Sequence, residues 1–239
     1  MPGYVPVMLD CENRSCMVIG GGRVAERKIG ELLVASAVVT VISPAVTPVI
    51  RQYHEQGKLN WMPKMYTCGD LEGAFMVHAA TDDSKVNRAV ADEARARGIL
   101  ANVADQPELG DFIHPSVLRR GRLLIAVSAS GAGPLAARAI RRKLEDDYGV
   151  EYEAYLDVLY EMRQAIREQV DDPESRRVLL SKVAGEEMFA LLRQGGFKSW
   201  SPEEIKHWIK NNQEEKNADN RSGQQTKRAG IDTDGPGYR

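Results

Sequence analysis

Three consecutive glycines, Gly20 to Gly22, stand between an apolar run and a segment with helical spacing, in the stretch "MVIGGGRVAERKIGELL". Gly20, Gly22 and Ala25 fit the pattern GxGxxG/A, in which the first glycine allows a tight turn and the second lets a pyrophosphate approach the backbone. The small residue at the third position allows close packing of helix and strand. Because the stretch follows a predicted strand and opens a predicted helix, it favours dinucleotide binding over a glycine turn with only a packing role.

The chain up to Asp105 alternates between two kinds of segment. Apolar or β-branched runs predict strands at CMVIG, VVTVIS, LNWM, GAFMVHAA and ILANVA. Helical spacing and cap residues predict helices at VAERKIGELLVA, TPVIRQYHEQG and TDDSKVNRAVADEARARG. Strands that alternate with helices predict an α/β fold, a Rossmann-type parallel sheet with helices on both faces.

The pattern changes after Asp105. We expect a loop at QPELGDFIHPS, a strand at LLIAVSAS and a helix at GAGPLAARAIRRKLEDD. Helices follow from Val150, and a later one has a capping box at SPEEI. The first has an apolar stripe that consists of Tyr152, Tyr155, Leu156, Leu159, Met162 and Ile166. The predicted divisions are a Rossmann domain over 1–113, a second segment over 114–149, a helical domain over 150–210 and a disordered tail over 211–239 that has few apolar residues.

Composition excludes several classes of protein. The 239 residues carry a net charge of -2, which argues against a generally basic nucleic-acid binder. No apolar run approaches the roughly 18 residues of a membrane span, and the first residues do not resemble a secretory signal. The odd number of cysteines (Cys11, Cys16 and Cys68), without a CxxC pair, argues for free thiols in a reducing compartment, the cytoplasm.

The four histidines do not form a predicted metal site. None is paired at i,i+4 and none has a nearby cysteine, so we expect no preformed zinc site and assign no metal ligand. His78 and Cys16 lie inside predicted strands, which places them in the core. His114, in "FIHPS", is expected near the end of the sheet where ligands bind.

The usual acidic partner of the ribose is absent from its expected place. In Rossmann folds it follows the second strand, about 20 residues beyond the glycines, where this chain has Ser43 and Pro44. No Asp or Glu replaces it, and no Arg beside it would receive a 2′-phosphate. Ser43 could still form a hydrogen bond with a ribose, which gives NAD a slight preference over NADP.

Polar residues follow three of the predicted strands: Ser43, the run Thr81 to Asp83, and Asp105. Ligands of such sheets bind beyond the carboxyl ends of the strands, where a carboxylate could accept a proton as a hydride leaves the substrate. Helix capping is the favoured interpretation of Asp82 and Asp83. Asp105 is equally consistent with a general base and with a turn residue before Gln106.

A basic region extends from Asp111 to Glu145 with only these two carboxylates to oppose it. Its cations are Arg119, Arg120, Arg122, Arg138, Arg141, Arg142 and Lys143. Such a run is usually a solvated helix face. The alternative is a docking surface for a ligand with several carboxylates, to which arginine is suited.

Several motifs taken together resemble precorrin-2 dehydrogenases, the NAD-dependent module of siroheme synthesis. They are GGGRVAERK, ATDD, NVAD, DFIHPS and AVSASGAGP, in order and without large gaps over residues 4–150. The part after Val150 resembles the family only in being helical. The resemblance implies oxidation of precorrin-2, a tetrapyrrole with eight carboxylates, to sirohydrochlorin, with hydride transfer to NAD+.

The resemblance also implies residue roles and an assembly. Asp105 matches the general base, and Ser128 lies where the family holds the tetrapyrrole; His114, Arg138 and Arg141 are added as substrate-binding candidates. The cofactor set is Gly20, Gly22, Arg23, Val24, Ser43, Pro44 and Thr81. Members are interlocked homodimers, so the segment 114–149 is expected to serve dimerisation and substrate docking.

Two other functions stay open from the sequence. The protein could also insert Fe2+ into sirohydrochlorin, as some members do, and its product could enter siroheme or cobalamin synthesis. A non-catalytic NAD-sensing module would need the glycine loop but not Asp105, Ser128 and the basic region together.

Overall fold

The computed structural model of the chain describes residues 3–130 and 133–213. It divides after His114 into two compact units, here called the N-terminal and the C-terminal unit. No helix in the described ranges is both long and apolar enough to span a membrane.

The N-terminal unit is built on a five-stranded parallel sheet. Its strands are β1 (Ser15–Ile19), β2 (Val38–Ile42), β3 (Asn60–Met62), β4 (Met76–Ala79) and β5 (Leu100–Val103), in the order β3-β2-β1-β4-β5. This is the strand order of the dinucleotide-binding fold, and the order reverses between β1 and β4. The predicted Rossmann-type sheet is therefore confirmed, with all five strands in place.

Three helices connect the strands: α1 (Arg23–Val34), α2 (Pro48–Glu55) and α3 (Ser84–Arg97). Thr47 caps α2, Asp83 caps α3, and α3 ends at Gly98 in the left-handed conformation. The sheet separates two apolar cores. One contains Cys16 of β1 and Ile29 of α1, and the other contains Val90 and Ala94 of α3. Cys16 is a core residue as predicted, and burial raises the pKa of its thiol to about 12, with Cys11 adding to the effect.

The C-terminal unit begins with an antiparallel hairpin, β6 (Ser116–Arg120) and β7 (Leu123–Val127), followed by helix α4 (Pro134–Asp147). Helices α5 (Glu151–Gln169), α6 (Pro173–Val183) and α7 (Glu186–Gln194) and a last helix over residues 202–213 enclose a separate apolar core. Ser201 and Glu204 form the predicted capping box, since each accepts a hydrogen bond from the backbone N–H of the other.

Three differences from the sequence predictions lie in this unit. Strand β6 was not predicted. Val158, which the predicted stripe omits, is buried on α5, whereas Tyr152 and Leu156 are only half-buried. Residues 211–213 belong to the last helix, and the remainder of the predicted tail, 214–239, lies outside the described residues.

Candidate active site

A cleft of about 810 Å³ opens at the carboxyl edge of the sheet in the N-terminal unit. Clefts of roughly 300–1,000 Å³ are typical of small-molecule sites. The cleft is lined by the ends of β1, β2 and β4, the start of α1, and the loop after β3. All seven predicted cofactor residues line it: Gly20, Gly22, Arg23, Val24, Ser43, Pro44 and Thr81. The site that the sequence predicts is thus one continuous surface, and the cofactor role of its residues stays a prediction.

The three glycines make different demands on the backbone. A Cβ at Gly20 would lie 2.3 Å from the carbonyl oxygen of Ala80, and one at Gly21 would lie 2.0 Å from that of Ala45. A Cβ at Gly22 would meet no atom of the described chain within 4 Å. Gly20 and Gly21 are therefore required by the fold itself, whereas the bare backbone of Gly22 faces open space that a ligand can occupy.

The N-terminus of α1 faces the cleft with free donors. The first helical hydrogen bond runs from Glu26 N–H to Gly22 C=O, so the N–H groups of residues 23–25 have no partner within the helix. Within the described residues, no side chain caps this end. Together with the helix dipole, these donors suit an anionic group such as a pyrophosphate.

Ser43 has a structural task besides any contact with a ribose. Its hydroxyl donates to the Ala45 carbonyl oxygen at 2.7 Å, and its own carbonyl oxygen accepts from Trp61 Nε1 at 2.9 Å. The side chain is 7% exposed. Ser43 Oγ therefore has only its acceptor lone pairs left for a ligand.

A buried carboxylate, absent from the sequence-based predictions, holds the loop that forms one wall of the cleft. Glu93 of α3 accepts a hydrogen bond from the Tyr66 hydroxyl at 2.5 Å, from Gly69 N–H at 3.0 Å and from Arg97 Nε at 2.8 Å. Met65 and Tyr66 line the cleft. Burial alone raises the pKa of Glu93, but these hydrogen bonds and the Arg97 charge outweigh it and leave the pKa below its ordinary value.

Asp105 is exposed just beyond β5, at the same edge of the sheet as the cleft. Its Oδ1 accepts a hydrogen bond from Asn87 Nδ2 at 2.8 Å, and its Oδ2 lies 3.4 Å from Gln106 Nε2. Asn87 is fully buried and also bonds to Thr81, which lines the cleft. Asn87 was not predicted from the sequence, although a polar residue on the buried face of a predicted helix is a signal that could have identified it.

The interpretation of Asp83 as a helix cap is confirmed. Its carboxylate accepts from Lys85 N–H at 2.8 Å and from Val86 N–H at 3.4 Å. Its neighbour Asp82 is exposed and lines the cleft.

His114 does not lie at the carboxyl edge, where the sequence led us to expect it. The chain beyond Asp105 turns back along β5, with Asp111 N–H bonded to the Ala101 carbonyl oxygen at 2.8 Å. His114 Nδ1 lies 2.9 Å from Glu31 Oε2 near the C-terminal end of α1, and its ring lies 5.0 Å from that of His78. The return path along β5 therefore separates His114 from Asp105.

Two titratable groups of different burial adjoin this histidine pair, since Lys28 is buried and Glu31 is exposed. His78 is 1% exposed, and its Nε2 has no hydrogen-bond partner in the part of the chain that the structure describes. Burial together with the His114 and Lys28 charges lowers its pKa to about 3. Burial also lowers the pKa of Lys28 to about 8. Burial alone raises the pKa of Glu31, but the hydrogen bond with His114 and the adjacent cations bring it below its ordinary value. His78 is thus a core residue, as predicted.

The remaining candidates belong to the C-terminal unit. Ser128 follows β7 and is exposed, and its Oγ accepts from Ser130 N–H at 3.3 Å. Arg138 is exposed on α4, whereas Arg141 forms an ion pair with Glu145 one turn away. Arg122 Nε lies 2.8 Å from Asp157 Oδ1. Asp157 was not predicted as a partner of Arg122 because the two residues are 35 positions apart along the chain.

Both units of the chain have similar counterparts among known proteins. Residues 7–116 match a family model for NAD(P)-binding domains. The siroheme synthase of Methylobacillus flagellatus is 38% identical over 179 residues, which are 75% of this chain and 38% of that protein. The siroheme synthase of Methylococcus capsulatus is 38% identical over 174 residues, 73% of this chain and 37% of that protein. The chain thus spans less than two fifths of the length of these relatives.

A solved structure is similar over most of the chain. The protein described as SirC, precorrin-2 dehydrogenase, superposes with a TM-score of 0.71 at 28% sequence identity. The match covers 88% of this chain and 100% of that one. The similarity therefore extends beyond the dinucleotide-binding fold into the C-terminal unit.

Proposed function

The chain belongs to the precorrin-2 dehydrogenase family, and from this premise we propose that it catalyses the NAD-dependent oxidation of precorrin-2 to sirohydrochlorin. The observation that carries the proposal is in the N-terminal unit. Asp105 and the cleft lie at the same edge of the sheet, and the single side chain of Asn87 connects Asp105 to Thr81 of the cleft. An acceptor for a proton thus stands beside a site suited to a dinucleotide.

The cleft suits a dinucleotide on three counts. Gly22 leaves open space where a Cβ would stand, residues 23–25 present free N–H groups, and the strand order reverses at this point. We propose NAD rather than NADP, because the residues at the end of β2, Ser43 and Pro44, include no cation for a 2′-phosphate. When bound, NAD+ accepts the hydride that leaves the substrate.

The proposed role of Asp105 is that of general base. Removal of two electrons as a hydride must be balanced by loss of a proton from the tetrapyrrole, and a carboxylate at the same edge of the sheet as the cleft can accept that proton. Oδ1 is engaged by Asn87, whereas among the described residues Oδ2 has only a long contact with Gln106, so Oδ2 is the oxygen available to the substrate.

We propose that the C-terminal unit contributes substrate contacts and the dimer interface. Exposed Arg138 suits the carboxylates of the tetrapyrrole, and Ser128 is an exposed hydroxyl at the end of β7. Leu135 and Ile140 of α4 are 75% and 49% exposed, and a hairpin of only two strands gains stability when it pairs further. A homodimer through this unit would cover both features. The free thiols of all three cysteines support a cytoplasmic location.

An anaerobic absorbance assay tests the proposal. The protein is mixed with enzymatically generated precorrin-2 and NAD+, first without metal and then with Fe2+. Formation of sirohydrochlorin without a further enzyme-dependent change on addition of iron supports a dehydrogenase, and a further change to siroheme would add chelatase activity. Binding of NAD without oxidation would contradict the proposal and favour a sensor.

A further inference from the structure

We propose that Asn87 is a positioning residue that fixes the carboxylate of Asp105 and couples it to the cofactor cleft. This inference rests on the proposed role of Asp105 as the base. Neither the sequence motifs nor the comparisons assign a role to Asn87.

The side-chain amide of Asn87 is fully buried and fully engaged. Its Oδ1 accepts from Thr81 N–H at 3.1 Å and lies 2.8 Å from the Thr81 hydroxyl. Its Nδ2 donates to the Thr81 carbonyl oxygen at 3.1 Å and to Asp105 Oδ1 at 2.8 Å. One side chain therefore joins the loop after β4 to the loop after β5.

The orientation of the amide follows from the backbone. Thr81 N–H can only donate, so the atom that faces it must be the acceptor Oδ1. The opposite atom is then Nδ2, and the carboxylate of Asp105 can only accept from it. A flipped amide would set donor against donor and acceptor against acceptor. Asn87 therefore presents an N–H to Asp105 in one fixed direction.

This contact selects the reactive oxygen of the base. A hydrogen bond to Oδ1 restricts rotation of a carboxylate that is otherwise exposed. Within the described ranges, Oδ2 then has only the 3.4 Å contact with Gln106, whose Oε1 in turn accepts a hydrogen bond from Arg88 at 3.1 Å. Restricting one reacting group to a productive geometry lowers the barrier, because less orientational freedom is lost at the transition state.

The same amide reaches the cofactor side. Thr81 lines the cleft. Its backbone nitrogen is close to Gly20, since a Cβ on Gly20 would lie 3.1 Å from that nitrogen. A change in Asn87 can therefore disturb two places, the backbone of the cleft through Oδ1 and Nδ2, and the base through Nδ2. Two substitutions remove different parts of this network.

Asn87→Asp keeps an oxygen for Thr81 N–H but replaces the donor to Asp105 and to the Thr81 carbonyl oxygen with a second carboxylate oxygen. Asn87→Ala removes the acceptor and the donor. We expect both variants to lose about 10- to 100-fold in kcat with precorrin-2. The Kd for NAD should rise less in Asn87→Asp, which keeps the acceptor for Thr81 N–H, than in Asn87→Ala, which loses every contact with Thr81. Wild-type kcat in Asn87→Asp would overturn the proposal.

A double-mutant cycle separates positioning from a merely structural role. If Asn87 acts through Asp105, Asn87→Ala should change the residual rate of an Asp105→Ala protein by less than about twofold. Equal losses in both backgrounds would overturn the proposal. Asn102→Ala is the matched control, because Asn102 is a buried amide that donates to the Phe112 carbonyl oxygen at 2.9 Å and not to Asp105. Its losses in the two backgrounds should be equal.

A spectroscopic readout keeps this inference distinct from the proposed function. In the full chain labelled with ¹⁵N-asparagine, the side-chain NH2 signal of Asn87 should move in Asp105→Ala, whereas that of Asn102 should not. No movement of the Asn87 signal would overturn the inference whatever the activity. A wild-type protein that does not oxidise precorrin-2 would contradict the proposed function, and the NH2 signals would still test the contact.

Discussion

The backbone of Gly20 passes so close to Ala80 that a Cβ on Gly20 would lie 2.3 Å from the Ala80 carbonyl oxygen. The φ angle of Gly20 is +122°, which side chains rarely adopt. The glycine that allows the tight turn after β1 is therefore also the residue that lets the loop after β4 close over it. Gly22, two residues on, has neither constraint.

Substitution of Gly20 should therefore reduce stability, whereas substitution of Gly22 should weaken NAD binding. Gly20→Ala should lower the free energy of unfolding by at least about 2 kcal/mol, because it adds a steric clash and backbone strain. Gly22→Ala should change it by less than about 0.5 kcal/mol but raise the Kd for NAD at least about tenfold. Chemical denaturation without cofactor and calorimetric titration with NAD measure the two effects. Unchanged NAD affinity in Gly22→Ala would argue against the proposed seat of the pyrophosphate.

Glu93 should affect cofactor affinity from outside the cleft. Glu93→Ala leaves Tyr66 and Gly69 without their acceptor and should destabilise the fold by about 3 kcal/mol. It should also weaken NAD binding, because Tyr66 lines the cleft. Asp92→Ala removes the neighbouring exposed carboxylate and should leave both quantities near wild type. Equal behaviour of the two variants would refute the role of Glu93.

His78 should make the protein acid-sensitive. Because burial lowers its native pKa from 6.5 to about 3, the unfolded chain binds a proton below pH 6.5 that the native state does not. The free energy of unfolding should therefore fall as the pH falls from 6.5 towards 3, by up to about 1.4 kcal/mol per pH unit from this group.

Urea unfolding over this pH range measures the effect as a difference. His78→Leu should lose part of the wild-type slope, and the exposed His54→Leu should keep it. His114, Lys28 and Glu31 face the same site and stay in place in both variants. Identical slopes in His78→Leu and wild type would show that His78 is not the group responsible.

Substrate affinity should depend on salt if the basic region docks carboxylates. The apparent KM for precorrin-2 should rise steeply between low and high NaCl, since the Debye length falls from about 10 Å at 0.1 M to about 3 Å at 1 M. Arg138→Gln should reduce this dependence, and Arg95→Gln on α3, paired with Asp92, should not. A KM independent of salt in wild type would contradict docking by these arginines.

The sequence was most informative where local chemistry decides the structure. The parallel strands are short β-branched or apolar runs, and their helices carry their own caps, such as Thr47, Asp83 and Gly98. β6 was missed because arginines occupy its second half and the turn that follows, and its strand character comes from pairing with β7. Pairing across a hairpin is a tertiary fact that a local pattern does not contain.

Some residues of the candidate site were likewise predictable from the local sequence, and others were not. The glycine loop, Ser43, Thr81 and Asp105 are visible because each follows a recognisable strand. Contacts between distant residues were not visible, including Glu93 with Tyr66 and Arg122 with Asp157. The predicted position of His114 at the carboxyl edge of the sheet was wrong for the same reason. The chain reverses along β5 through hydrogen bonds between Asp111 and Ala101, which the local sequence does not reveal.

The most direct test of the account compares wild type with Asp105→Ala in an anaerobic single-turnover reaction with precorrin-2 and NAD+. Wild type should form NADH and sirohydrochlorin in equal amounts. Asp105→Ala should form both more slowly by about 10²- to 10⁴-fold, with its Kd for NAD unchanged, because only the proton acceptor is lost. Turnover of Asp105→Ala at the wild-type rate would contradict the assignment of the base, and absence of oxidation by wild type would contradict the proposed activity itself.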